Sequence, residues 1–486
     1  MRDGGGPVTG PPQVAWRWTR ITPLCSVGAM SNPAPLSTGA HLRATLSLGL
    51  PLVGSHLAQM LLHVTDTVML GWYGVTELAA VVLGASVFFI VFILGSGFGI
   101  GVMGMVANAL GAGDDTQVRR DTRMGLWLSL QFGVLCMPVM WWSGPLLIAA
   151  GQQADVAALA QDYLRIAGWG MVPALLVMVL KSYLAANERT QVVLWVTLAA
   201  VVVNAAINWV LIFGKLGAPE MGVRGAAIAS LGVQWLTFGF LALYAAWEPS
   251  LRRFALFQRF WRPDWPAYAQ VFRLGWPIGL TGLAEGGLFQ ASALMMGWIG
   301  TRELAAHGIA LEITALTFMV HLGLSNAATV RTGRALGARD PRGLRDGALV
   351  AIGVSALFGG AMVVLFLAVP EFLVALFLDA SDPESPPIIA FGARLLAVAA
   401  LFQLFDAMQV MALGLLRGVR DTRVPMWIAA FSYWCVGIPA SYLLAFRMDL
   451  GGVGLWLGLV VGLVLAGGLL MARFWRGGWT RAQVLA

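Results

Sequence analysis

From residue 45 onward the chain alternates between apolar stretches of roughly 20 or more residues and short connections rich in Gly, Pro and Arg. A helix rising about 1.5 Å per residue needs about 20 apolar residues to cross a hydrocarbon layer. The pattern predicts an all-α polytopic membrane protein. Its twelve transmembrane helices fall near residues 47–71, 80–108, 123–149, 158–180, 191–214, 223–247, 271–296, 305–330, 344–369, 388–415, 424–446 and 451–473. Residues 1–44 hold no run long enough to span and are expected to form a disordered cytoplasmic tail, with Met30 opening a more ordinary polar lead-in.

Composition supports the same class. Of 486 residues, 58% are hydrophobic and 11% charged, less than half the roughly 25% charged content of a soluble domain. Cys25, Cys136 and Cys435 are too scattered for a disulfide framework or a CxxC metal site. No Walker loop, GxSxG or His/Cys/Asp cluster at metal spacing occurs, so neither an enzyme nor a cofactor is expected, and transport energy would come from an ion gradient.

Placing the amino terminus in the cytoplasm puts 25 of the 31 basic residues on the inner side, with Arg165, Lys215, Arg224, Arg302, Arg394 and Arg447 as the remainder. This positive-inside bias predicts two cytoplasmic termini. It also excludes nucleic acid as a partner, because the basic clusters recur in short loops rather than along one stripe. Abundant arginine and alanine beside scarce lysine suggest a GC-rich bacterial genome, hence the inner (plasma) membrane.

GWYGVTELAA (71–80) and GWIGTRELAA (297–306) match at seven of ten positions, 226 residues apart. The same offset pairs Pro51 with Pro277, Met69 with Met295, and the two ALGA segments at 109–112 and 335–338. One offset serving two spans and a loop indicates duplication. With six spans per half, the halves insert in the same orientation and form two pseudo-symmetric lobes. The expected division is an N-lobe at 45–247, a cytoplasmic linker at 248–270 and a C-lobe at 271–486. Such an architecture suits a secondary transporter that rocks about a midplane site.

Asp66, Glu285, Glu312 and Asp406 lie inside predicted spans, where an ionisable residue costs about 2.5–3.5 kcal/mol on insertion scales. The offset pairs Asp66 with Ser292, Glu285 with Gln59 and Glu312 with Ser86, so these acids are not part of the duplicated scaffold. Asn204 and Asn208 share a helix face. With Asp66 they offer either oxygen ligands for Na⁺, a polar network around a carboxyl that exchanges protons, or plain interhelical hydrogen bonds. Glu285 sits in GLTGLAEGGLFQ, a small-residue stretch ending at Gln290 that permits close packing or local unwinding. Phe402 precedes Asp406 by one turn, an arrangement open to a cation–π contact with an organic cation or to ordinary core packing. Glu285 and Asp406 form the second pair to which Na⁺ could bind. Glu312, His63, His307 and His321 are secondary candidates.

The chain resembles the multidrug and toxic compound extrusion (MATE) transporters, most closely the NorM-like branch. The resemblance runs from about residue 45 to the end, carried by Pro51 through VTDTVMLG, by NAAINWVLIFGKLGAPEMGVRGAA and by FDAMQVMALGLLRGVRDT. It implies a MATE-like, two-lobed antiporter that exports cationic, often aromatic, compounds in exchange for Na⁺ or H⁺. Asp66, Asn204 and Asn208 match the family's N-lobe carboxylate and its partners. Glu285 and Asp406 match the C-lobe cation site, and Pro51 a helix-bending proline. Two departures are Glu312, where relatives are more often uncharged, and Phe402, which lacks a tyrosine hydroxyl. Organic cations, the coupling ion and the bilayer are the expected partners of a monomer. A lipid-linked oligosaccharide flippase of the related superfamily fold ranks second, since it would favour a basic cavity. A non-transporting scaffold or receptor leaves the unpaired acids unexplained.

Overall fold

The computed structural model describes residues 37–379 and 381–477. Its long helices are α1 Thr38–Tyr73, α2 Val75–Gly111, α3 Asp115–Trp141, α4 Ala154–Ala186, α5 Thr190–Ile212, α6 Val223–Trp247, α7 Trp265–Ile299, α8 Thr301–Gly337, α9 Pro341–Ala368, α10 Ser385–Gly418, α11 Arg423–Arg447 and α12 Gly451–Arg476. Each corresponds to one predicted span. Eleven are long and apolar enough to cross a membrane; α7 is diluted by glycines and Glu285 and falls outside that group.

Helix starts follow local chemistry. Asp114, Asp264 and Asp340 cap α3, α7 and α9, each accepting the N–H three residues on. These bonds satisfy donors that the first turn leaves free. Asp114 and Asp340 are 226 residues apart, as are Gly74 and Gly300, the single-residue links that end α1 and α7.

Three expectations need correction. α1 begins at Thr38 behind the Ser37 cap, so residues 38–44 are helical rather than part of a tail; residues 1–36 lie outside the described residues. α7 begins at Trp265, inside the stretch assigned to the linker. The span drawn at 123–149 is broken before Pro138 and Pro145, and its last part is a separate short helix, Ser143–Ala149, because proline supplies no N–H and crowds the preceding turn. In α11 the wide turns Phe431–Gly437 and Leu443–Arg447 flank Pro439, an adjustment common at functional sites.

The linker is fastened to the N-lobe. Arg120 donates to both Asp264 carboxylate oxygens at 2.5 and 3.0 Å, Trp127 Nε1 donates to the Phe260 carbonyl at 2.9 Å, and Leu251, Phe254 and Leu256 are buried in the N-lobe core.

The two lobes meet through α1 with α8, α2 with α7, and α2 with α8. The contact repeats the duplication. A Cβ on Gly111 would lie 2.1 Å from the Arg334 carbonyl, and one on Gly337 would lie 1.9 Å from the Asn108 carbonyl. Adding 226 to 111 and 108 gives 337 and 334. Likewise Gly97 meets the Gly279 backbone while Gly323 meets that of Val53. These reciprocal approaches, available only to glycine, place the ALGA segments at a pseudo-two-fold axis. Arg331 adds hydrogen bonds to the His41 carbonyl and ring and to Thr45, Arg334 pairs with Glu188, and Asn326 bonds His56 at 3.0 Å. These contacts use α1 up to His56, α2 from Ile93 onward, α7 up to Gly286 and α8 from Gly323 onward. Those are the halves nearest the face where the described chain enters and leaves. Among the described residues α1 and α7 share no packed interface with each other along their length.

Gly337→Val should therefore lower stability by about 1–3 kcal/mol, read as a reduced thermal midpoint of the detergent-purified protein. Asp264→Ala should cost about 0.5–2 kcal/mol as a lost cap. The Arg120 guanidinium holds the Asp264 carboxyl below the usual carboxylate range. Its contribution is thus present above that range and is lost only as pH falls through the lowered value. Unfolding curves of wild type and Asp264→Ala at stepped acid pH should converge only there.

Candidate functional site

Asp66 lies on α1, seven residues before its end, and turns into the N-lobe. Asn204 Nδ2 and Asn208 Nδ2 on α5 both donate to Asp66 Oδ1 at 2.5 Å, and Ser230 Oγ on α6 donates to Oδ2 at 3.2 Å. Both asparagines are fully buried. Their spacing of four brings the amides one above the other on the face toward α1. Three helices thus converge on one carboxylate.

The sequence left open whether the asparagines would offer oxygens to a cation. Here they offer N–H groups to Asp66, and the Asn204 and Asn208 amide oxygens point away, buried and unpartnered. In this arrangement three donors face the Asp66 carboxylate, and the amide oxygens do not. Ser230 was missed, because a lone serine in an apolar span resembles the many that bond their own helix.

The C-lobe acids are arranged differently. Asp406 on α10 is 2% exposed, and Glu285 on α7 is half-buried. Glu285 lies close enough to Asp406 and to Arg417 to act on both electrostatically, and Tyr433 lies within reach of all three. No ion pair forms at 4.0 Å or less for Asp66, Glu285 or Asp406 among the described residues. Glu285 Oε1, Asp406 Oδ1 and Gln409 Oε1 are buried without a hydrogen bond, and the Gln409 amide faces the buried Tyr433 hydroxyl. Such an unsatisfied cluster marks a place for an ion, water or ligand. Tyr433 sits on the first wide turn of α11, a backbone irregularity with no sequence signature beyond Pro439.

The glycines around Glu285 serve packing: α7 stays helical throughout, with Gly282 against Ile93 and Gly287 against Trp434. Local unwinding is not found. Phe402 is a core residue at 1% exposure, its ring 6.1 Å from Phe289 and 5.4 Å from Trp456. It shows no open face to a cation in this conformation, so the core-packing alternative holds. Gln290 and Glu312 are exposed. Pro51 lies within α1, and Gln59 lines an N-lobe cavity with His63. His307 is held by Trp456 Nε1, which donates to its Nδ1 at 3.0 Å, and His321 Nδ1 bonds Ser355 at 2.8 Å while its Nε2 is buried without a partner. Lys181, counted among the loop residues, lies within α4 and lines the same cavity as Gln59.

The MatE family model matches residues 51–210 and again 277–443, two copies whose starts are 226 residues apart. The chain belongs to the MatE family. It is 47% identical over 436 residues to the probable multidrug resistance protein NorM of Rhizobium meliloti (strain 1021), covering 90% of this chain and 93% of that one. With the corresponding protein of Agrobacterium fabrum it shares 43% over 455 residues, covering 92% and 97%. The crystal structure of the eukaryotic MATE transporter AtDTX14 superposes with a TM-score of 0.83 at 20% identity, covering 92% of this chain and 98% of that one. This MatE protein therefore has the twelve-helix, two-lobed MATE fold and is a multi-pass membrane protein.

Replacing Asn208 with leucine removes one donor from Asp66, and a hydrogen bond to a charged group contributes about 1.5–3 kcal/mol. A double-mutant cycle of Asn208→Leu with Asp66→Asn, followed by unfolding in detergent, should give a coupling of at least about 1 kcal/mol.

Proposed function

We propose that this MatE protein is an antiporter that exports cationic, often aromatic, drugs or metabolites in exchange for Na⁺ or H⁺. The observation that carries the proposal is the set of three carboxylates inside the helical bundle, none neutralised by an ion pair. A fixed cation would make such a group purely structural. Without one, its charge is available to an exchangeable partner, either a proton, a small cation or the ammonium of a substrate.

The lobes divide the work. Glu285 Oε1, Asp406 Oδ1 and Gln409 Oε1 are free oxygens of the hard type that Na⁺ prefers, so the C-lobe cluster suits a metal cation or a proton. Asp66, already encased by three donors, suits a proton or an organic ammonium. With the termini in the cytoplasm, the glycine contacts lie toward the inner end, which supports an outward-facing state. The relatives' names as multidrug resistance proteins support export as the direction. A flippase would need clustered basic residues for a pyrophosphate. The intramembrane acids here favour cations instead.

The test is efflux of a fluorescent organic cation from proteoliposomes under an imposed Na⁺ gradient and, separately, a pH gradient. Glu285→Gln or Asp406→Asn should each reduce gradient-driven efflux at least about tenfold while leaving the thermal midpoint within a few degrees. Undiminished efflux in both variants would remove these residues from the cycle.

A further inference from the structure

The chain has two lysines, Lys181 and Lys215. Lys181 lies on α4, five residues before its end at Ala186. Helical side chains tilt toward the amino terminus of their own helix, so this one reaches away from the nearby membrane face and into the lobe. There it lines a cavity of about 50 Å³ with Gln59, His63, Thr197, Gln234 and Phe92. No acid lines the cavity. Among the described residues Lys181 has no carboxylate within 4.0 Å and no hydrogen bond. Gln59 and Gln234 are likewise without hydrogen bonds, whereas Thr197 and Thr237 donate to carbonyls of their own helices.

A lysine near a helix end usually snorkels its ammonium to the interface. Lys181 instead brings a lone positive charge and neighbouring amide N–H groups to one partly open cavity. His56 is the other titratable group that feels this charge. The volume accepts a carboxylate or a few waters but no ring system, which needs several hundred Å³. Gln59, His63 and Asp66 follow one another on a single face of α1 at spacings of four and three. Along α1 the cavity lining therefore runs from about one turn before Asp66, at His63, to about two turns before it, at Gln59.

We propose that Lys181 and its cavity form an anion subsite of the N-lobe, which selects aromatic compounds that carry a carboxylate as well as a cationic amine. The amine is drawn to Asp66, the acid enters the cavity, and the ring system stays outside it. This deepens the export reading and rests on it for the substrate's entry.

The probes are rhodamine 110, whose benzoate is free, and rhodamine 123, its methyl ester. Binding to the full-length protein in detergent is followed by fluorescence polarisation for wild type, Lys181→Met and Lys181→Arg. The wild type should prefer the free acid. Lys181→Met should reduce the ester-to-acid ratio of dissociation constants about tenfold or more, and Lys181→Arg should retain most of it. An unchanged ratio in Lys181→Met, or equal weakening of both dyes, overturns the subsite. Transport of the two dyes in proteoliposomes separates the readings. Lys181-dependent binding with neither dye moved under either gradient retains the subsite and refutes export. Export of both dyes with no dependence of their ratio on Lys181 retains export and refutes the subsite.

Discussion

Carboxylates kept inside a lipid-solvated helix bundle without a neutralising cation are the constraint around which this structure is organised. Hydrocarbon offers no hydrogen bonds, so the backbone must satisfy itself within helices, and a buried charge must be paired, hydrogen-bonded or exchangeable. Asp66 takes the hydrogen-bonded solution through Asn204, Asn208 and Ser230. Glu285 and Asp406 keep oxygens with no partner at all. Arg417 influences Glu285 without closing an ion pair, so the C-lobe acids keep unpaired oxygens, on which the proposed exchange rests.

The scaffold and the chemistry obey different symmetries. Gly111 meets the Arg334 carbonyl as Gly337 meets that of Asn108, and the Asp114 and Asp340 caps repeat at the same offset. Duplicated positions thus build the contact between the two lobes. The acids break the repeat: Asp66, Glu285 and Glu312 correspond to Ser292, Gln59 and Ser86 at the 226-residue offset, and repeating each would add a further uncompensated charge. Close packing of backbones at the glycines also concentrates the inter-lobe contact at one end, the geometry a rocking mechanism requires.

Hydropathy and spacing determined a great deal unaided. The twelve spans, the duplication and the face shared by Asn204 and Asn208 all follow from periodicity and from the fixed rise of a helix, which are local properties. The singling out of Asp66, Glu285 and Asp406 was equally legible, since a charge in an apolar run is conspicuous. Which atoms face which was decided by tertiary packing. The asparagine amides turned their N–H groups rather than their oxygens toward Asp66, and Phe402 went into the core against Trp456. Tyr433 arrived on a widened turn, and Lys181 was drawn from an apparent loop into a cavity. None of these has a one-dimensional signature, because side-chain direction, hydrogen-bond donor choice and enclosed volume arise only when helices distant in sequence are pressed together.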